Sequence, residues 1–121
     1  MAEAKRRQWR EYRTSGGGRP VYDFLKSLDR DDRVAVAAAM VRVSKDGLRA
    51  AKKLRGDIWE VKADTGEKFF RVLFAPQGRY GQVFLSLEAF AKKTNKTPPA
   101  KLKLAEDRLK DWRARGSKGG K

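Results

Sequence analysis

Cysteine and histidine are both absent from this 121-residue chain. Without cysteine there are no disulfides, no thiolate-held zinc and no thiol nucleophile. Without histidine, the commonest metal ligand and the commonest general base are missing. Acidic residues are scarce as well: 15 Asp and Glu stand against 30 Lys and Arg, a formal net charge of +15. Catalysis is therefore left to Lys, Arg, carboxylates, Tyr and Ser or Thr, and no cofactor is expected. The longest uncharged apolar run, Val34 to Val41, falls far short of the ~20 residues that span a bilayer. The N-terminal Met1 to Arg7 carries basic residues with no apolar stretch behind them, so a secretory signal is not expected and a cytoplasmic location is.

What is present points to a polyanion partner. A basic surplus of this size attracts nucleic acid, an acidic protein or an anionic membrane. Membrane is the weakest of these, because no long amphipathic helix sets bulky aromatics against a basic face. The length suits one domain, taken as 1–114. A basic tail of low complexity, expected to be disordered, follows at 115–121.

Hydropathy periods place the elements. Trp9 to Thr14 reads as a first strand, and Ser15-Gly-Gly-Gly18 as a flexible connection, since no GK[ST] follows to make a phosphate loop. Pro20 opens a helix whose Val21, Phe24, Leu25 and Leu28 recur at helical spacing. A second helix, capped by Asp29 and stopped at Gly47, is expected to bury Val34, Ala37, Ala38 and Val41, with Met40 and Val43 widening the stripe. Arg49 to Arg55 reads as a basic connection. The period then drops to two: strands over 58–64, 68–74 and 80–90 form a meander, with turns at Thr65-Gly66 and Pro76-Gln-Gly78. The third strand alternates least, as suits a strand covered on both faces. A loop with Lys92, Lys93 and Lys96 leads to Pro98-Pro99 and a last helix carrying Leu102, Ala105, Leu109 and Trp112, with Thr97 as candidate cap. The fold class is α+β: a small antiparallel or mixed sheet, made of the first strand plus the meander, with two N-terminal helices and one C-terminal helix.

If Thr65-Gly66 is a two-residue hairpin loop, Asp64 opposes Glu67, Lys62 opposes Phe69 and Glu60 opposes Arg71. Trp59, Val61 and Ala63 then share the core face with Phe70, Val72 and Phe74, and the other face gathers Glu60, Lys62, Phe69 and Arg71. That second face supports two readings. One is a solvated sheet face with a cross-strand ion pair. The other is a groove for a phosphodiester backbone, in which Arg71 holds a phosphate, Lys62 adds a point charge, Phe69 and Tyr80 are placed to stack a base, and the loop lysines close over it. Asp29, Asp31 and Asp32 sit at a helix start, where capping explains them better than two-metal hydrolysis does.

Ile58-Trp-Glu-Val-Lys62, Phe70-Arg-Val-Leu-Phe74, the stretch from Ala89 to Pro99 with its Lys-Lys-Thr-x-Lys-Thr-Pro core, and Leu104 to Leu109 together resemble the phage-derived, HigB-like branch of the RelE/ParE toxins. Pro20 to Leu25 and Leu54-Arg55-Gly56 fit as well, so the resemblance covers roughly residues 8 to 113. It implies a RelE-like fold and a type II toxin that cuts mRNA on the bacterial ribosome without metal, by attack of the ribose 2′-OH on the adjacent phosphate. It also implies a cognate antitoxin, a HigA-like helix-turn-helix protein. Lys62 matches a basic residue that serves catalysis in relatives, and Arg71 the arginine that steadies the charged phosphate. Lys92 and Lys93 match a further basic position, with Lys93 carried as catalytic and Lys92, Lys96 and Arg55 as RNA contacts.

One departure stands out. Branch members often carry histidine near the end of the third strand, where this chain has Ser86, Leu87 and Glu88. The proton acceptor is then Lys62, Glu88 or a ribosomal group, and Glu88 is equally readable as an ion-pair partner of Lys92. A gyrase-inhibiting ParE-like toxin and a non-catalytic basic binder of nucleic acid are the alternatives. The toxin is expected to be monomeric.

Overall fold

The computed structural model describes residues 7–66, 68–93 and 96–119. Five strands and three helices follow in the order β1 (Gln8–Glu11), α1 (Pro20–Ser27), α2 (Arg30–Asp46), β2 (Lys52–Arg55), β3 (Ile58–Thr65), β4 (Lys68–Gln77), β5 (Val83–Lys92) and α3 (Pro99–Gly119), with one short 3₁₀ turn at Leu48–Ala50. The sheet order is β1-β5-β4-β3-β2. β1 runs parallel to β5 and every other pairing is antiparallel, so the sheet is mixed and the fold is α+β as expected. No helix among the described residues is long and apolar enough to cross a membrane.

β5 and β4 form the centre and are buried on both faces. On one side α1 and α2 cover Val61, Phe70, Val72, Phe74, Phe84 and Ala89, with Val21, Val36 and Val43 packed down from the helices. Trp9 meets Phe74 edge-on at 5.0 Å and Phe84 at 5.4 Å, and its indole Nε1 donates to the Met40 carbonyl at 2.8 Å. On the other side α3 sets Ala105 and Leu109 over Ile58, Leu73, Ala75, Leu85 and Leu87.

Several expectations shift. α2 buries Val36 and Val43, with Ala39 and Met40 partly buried against the same core, and leaves Val34 and Val41 exposed. Residues 34–43 are apolar on almost every side except Arg42, so two helical phases compete. Asp32 breaks the tie: it is buried one turn before Val36, and Lys68 of β4 donates to it at 2.7 Å. Asp29 caps the helix by accepting from the Asp32 amide, as expected. Lys52–Arg55, read as a connection, is an edge strand paired with β3. β1 begins at Gln8 and ends at Glu11, β4 continues to Gln77, and β5 starts at Val83 and reaches Lys92. α3 continues to Gly119, through positions assigned to the tail. Positions 120 and 121 lie outside the described residues. Pro98, not Thr97, stands at the position just ahead of α3, its carbonyl accepting from the Lys101 and Leu102 amides.

Two details of register position the site. In the β3–β4 hairpin Lys62 opposes Arg71, Asp64 opposes Phe69, and Thr65 pairs with Lys68. The expected pairing is thus two residues out, and its Asp64–Glu67 member involves Glu67, which lies outside the described residues. The reason is Gly66, which sits at φ 55°, the positive region that the first position of a two-residue hairpin loop requires and that Thr65 would resist. A shift of two preserves which side chains share a face. The second detail is a bulge in β5: Leu73 pairs with Glu88 but Phe74 with Ser86, leaving Leu87 as the extra residue. Phe84 points toward α1 and α2, yet beyond the bulge Phe90 faces α3. Even-numbered positions therefore change face at the bulge.

Candidate nucleic-acid interface and active site

α3 covers only part of its face of the sheet. Where it ends, the apolar floor of Leu73 and Leu87 gives way to charged residues from four strands. Lys52 stands opposite Glu60, and Lys62 opposite Arg71. At the centre lies a buried ion pair. Arg71 is 2% and Glu60 1% exposed, with Arg71 Nε 3.7 Å from Glu60 Oε1. Both atoms are buried without a hydrogen-bond partner among the described residues. Arg71 Nη1 also donates to Asp64 Oδ1 at 2.5 Å and to the Phe70 carbonyl at 2.8 Å. Thr97 Oγ1, on the segment leading into α3, donates to Glu60 Oε2. Thr97 thus ties the lysine loop to the sheet instead of capping the helix.

Lys92 joins this group because of the bulge. It is buried, and desolvation first of all pushes its pKa below the usual lysine value. Glu60 opposes that shift, while Arg71, Lys62 and Lys52 reinforce it. A lysine so placed gives up its proton more readily than one on an open surface. Lys62 is exposed across the strand pair from Arg71. Phe69 is half-buried at the rim, with the Arg71 guanidinium 6.0 Å from its ring centre.

The remaining sequence candidates fall elsewhere. Arg71 is not an open phosphate clamp: its buried guanidinium is enclosed by Asp64, Glu60 and the Phe70 carbonyl. Glu88 is buried and pairs with Lys101 at 2.6 Å and Arg108 at 3.1 Å, both from α3, and not with Lys92. Lys93 is exposed and lines a cavity with Leu28 and Asp32 on the α1–α2 side. Lys96 is exposed next to Thr97. Tyr80 is 83% exposed in the turn after Gln77, at the opposite end of β4 from Arg71. Arg55 forks onto Glu106 at 2.7 and 3.0 Å, which pins β2 to α3.

Sequence reasoning passed over Lys52, Thr97 and Asp64. Lys52 sits in a strand with one apolar residue, Leu54, too few to show a period of two. Thr97 precedes two prolines, so its hydroxyl reads as a cap. Asp64 was legible as a residue of the Arg71 face, but only the two-residue shift brings it to Arg71. Among the described residues no three carboxylates cluster in a way that could hold a metal ion.

The family model described as phage-derived protein Gp49-like (DUF891) matches residues 23–110, a span that contains Lys52, Glu60, Lys62, Arg71, Lys92 and Thr97. The probable endoribonuclease HigB1 of Mycobacterium tuberculosis, in strains H37Rv and CDC 1551, is 39% identical over 110 residues, covering 87% of this chain and 84% of that protein.

Proposed function

Since the chain belongs to the phage-derived Gp49-like family, we propose that it is the toxin of a toxin–antitoxin pair, an endoribonuclease that cuts mRNA on the ribosome and so stops translation. The observation that carries this reading is the convergence of Lys52, Lys62 and Lys92, from three strands, on the part of the sheet that α3 leaves open, above a buried Glu60–Arg71 pair. The HigB1 relatives, named as probable endoribonucleases, support the same chemistry.

RNA brings its own nucleophile, the 2′-OH beside each phosphate, so the protein needs to hold the phosphate, move two protons and stabilise charge. Lys62 and Lys52 receive the phosphate oxygens. Lys92, in its neutral form, accepts the proton of the 2′-OH as the 2′-oxygen bonds to phosphorus. The bond from phosphorus to the 5′-oxygen breaks, and that oxygen takes a proton from the Lys62 ammonium. The products are a 2′,3′-cyclic phosphate and a 5′-hydroxyl end. Charge that develops on the phosphorane is met by the potential of Arg71 from below, where burial strengthens it. Glu60, held by Thr97 and facing Arg71, keeps the guanidinium oriented. The step uses no metal ion.

The overall charge of +15 suits a ribosomal RNA surface, where many weak phosphate contacts add together. A helix-turn-helix antitoxin of the HigA type would hold the toxin inactive in the cytoplasm. The test is expression of the chain alone, followed by mapping of mRNA 5′ ends from translating ribosomes. Growth arrest with cuts on ribosome-bound mRNA is expected, and both should disappear in Lys92→Met. Cuts equally frequent on naked RNA would overturn the ribosome dependence. Arrest with DNA breaks and intact mRNA would favour gyrase inhibition instead.

A further inference from the structure

A cavity of about 450 Å³ opens at the end of the sheet, on the α1–α2 side. This is within the ~300–1,000 Å³ typical of small-ligand sites. Its floor is apolar: Leu28 closing α1, the buried Phe70, and Ala91 of β5. Two polar edges frame it. On one side Asp32 accepts from Lys68 at 2.7 Å; on the other stands Lys93. The cavity shares Phe69 and Lys92 with the catalytic face. These two residues pair directly across β4 and β5, at the end of the sheet, where the cavity on one face and Lys62 and Arg71 on the other come closest through them.

We propose that this cavity is a nucleobase subsite, which receives the base of a nucleotide next to the scissile phosphate as the RNA strand crosses the Phe69–Lys92 pair. The proposal rests on the endoribonuclease reading above and adds to it a place where sequence is read. A nucleobase has apolar faces and a polar edge, and the slot has an apolar floor with polar edges to match. The carboxylate in its wall, Asp32, accepts hydrogen bonds and cannot donate them while ionised. It therefore favours the amino groups of guanine, cytosine and adenine over uracil, which has no amino group and offers only its ring N3–H. Lys68 and Lys93 flank the slot where the phosphates on either side of that base would lie. This gives Lys93, which the bulge in β5 turns away from the catalytic face, a contact with RNA all the same.

Titration of GMP, CMP, AMP, UMP and inorganic phosphate into the ¹⁵N-labelled protein, followed by amide shifts, tests the site directly. The expected result is saturable shifts at Leu28, Asp32, Phe70 and Ala91 with the three amino-bearing nucleotides, about fivefold or more weaker with UMP. Ala91→Trp should abolish them; Ala91 is exposed on a strand, where an aromatic is well tolerated. Asp32→Asn should narrow the difference between UMP and the others. Shifts confined to Lys52, Lys62 and Lys92, or shifts equal for all four nucleotides and for phosphate alone, would overturn the proposal. Mapping mRNA ends with the wild type and Ala91→Trp separates the two claims. Cleavage whose sequence preference is unchanged in Ala91→Trp sinks the subsite and leaves the endoribonuclease standing. Saturable nucleotide binding in the cavity with no cleavage by the wild type keeps the subsite and sinks the activity.

Discussion

The two faces of the central sheet are built on opposite terms. The face under α1 and α2 is packed with branched aliphatics and interlocked aromatics over most of its length, and the cavity beside Asp32 and Lys68 opens only at its margin. The face under α3 is dry for part of its length and then turns ionic, with Arg71, Glu60 and Lys92 buried beside exposed Lys62. The first face holds the fold together. The second gives up part of that burial: a Glu60–Arg71 separation of 3.7 Å leaves each of the two facing atoms without a hydrogen bond, an arrangement that costs stability. Such a cost concentrated on one half of one face is what a functional site looks like in a small protein.

Substitutions on either face sharpen this contrast. The largest effect is expected from Lys92→Met: cleavage of ribosome-bound mRNA should fall about 10²- to 10⁴-fold, the range of a lost proton-transfer group. Stability should not fall with it. The folded pKa of Lys92 lies below its unfolded value near 10.5. Between those two values the unfolded chain holds a proton that the folded protein has released, so stability rises with pH across that window. Below it the buried ammonium is a constant penalty. Lys92→Met removes both the penalty and the slope, and urea melts at several pH values would show this. A variant that loses activity and stability together would mean that Lys92 belongs to the structural half.

Phe74→Ala, on the packed face, should do the reverse. Phe74 is fully buried between Trp9 and Phe84, and its removal should cost about 3–5 kcal/mol in a denaturant melt. Cleavage per folded molecule should be retained. Glu88→Gln comes next, at about 1–3 kcal/mol, because Arg108 and Lys101 lose their buried partner. Its cleavage rate should stay within a few-fold of wild type, and a 100-fold loss would reinstate Glu88 as the base. Arg55→Ala should be the mildest. Its fork to Glu106 is exposed, so both the melting midpoint and the cleavage rate should hardly move.

Much of the molecule was legible beforehand. The change of period from 3.6 to 2 located the helices and the meander, and alternation placed Lys62, Phe69 and Arg71 on one face and Phe70, Val72 and Phe74 on the other. The phase of α2 was not legible, since a segment as apolar as 34–43 leaves the choice of buried stripe to a contact from β4. β2 was hidden because an edge strand with one apolar side chain has no pattern to show. The partners of Glu88 were not legible either, since Lys101 and Arg108 come from α3, more than ten positions away in the chain.

The sequence alone determined the chemical vocabulary: with no histidine and no cysteine, any chemistry falls to lysine, arginine, carboxylates and hydroxyls, and alternation told which lysines and arginine share a face. The tertiary structure decided which of the neighbours Lys92 and Lys93 shares a face with Arg71. One extra residue, Leu87, bulges from β5 against β4, and past it every side chain changes sides. Lys92 arrives among Arg71, Lys62 and Glu60, and Lys93 is turned to the other face. A bulge depends on how two strands meet, and no pattern within one strand records it.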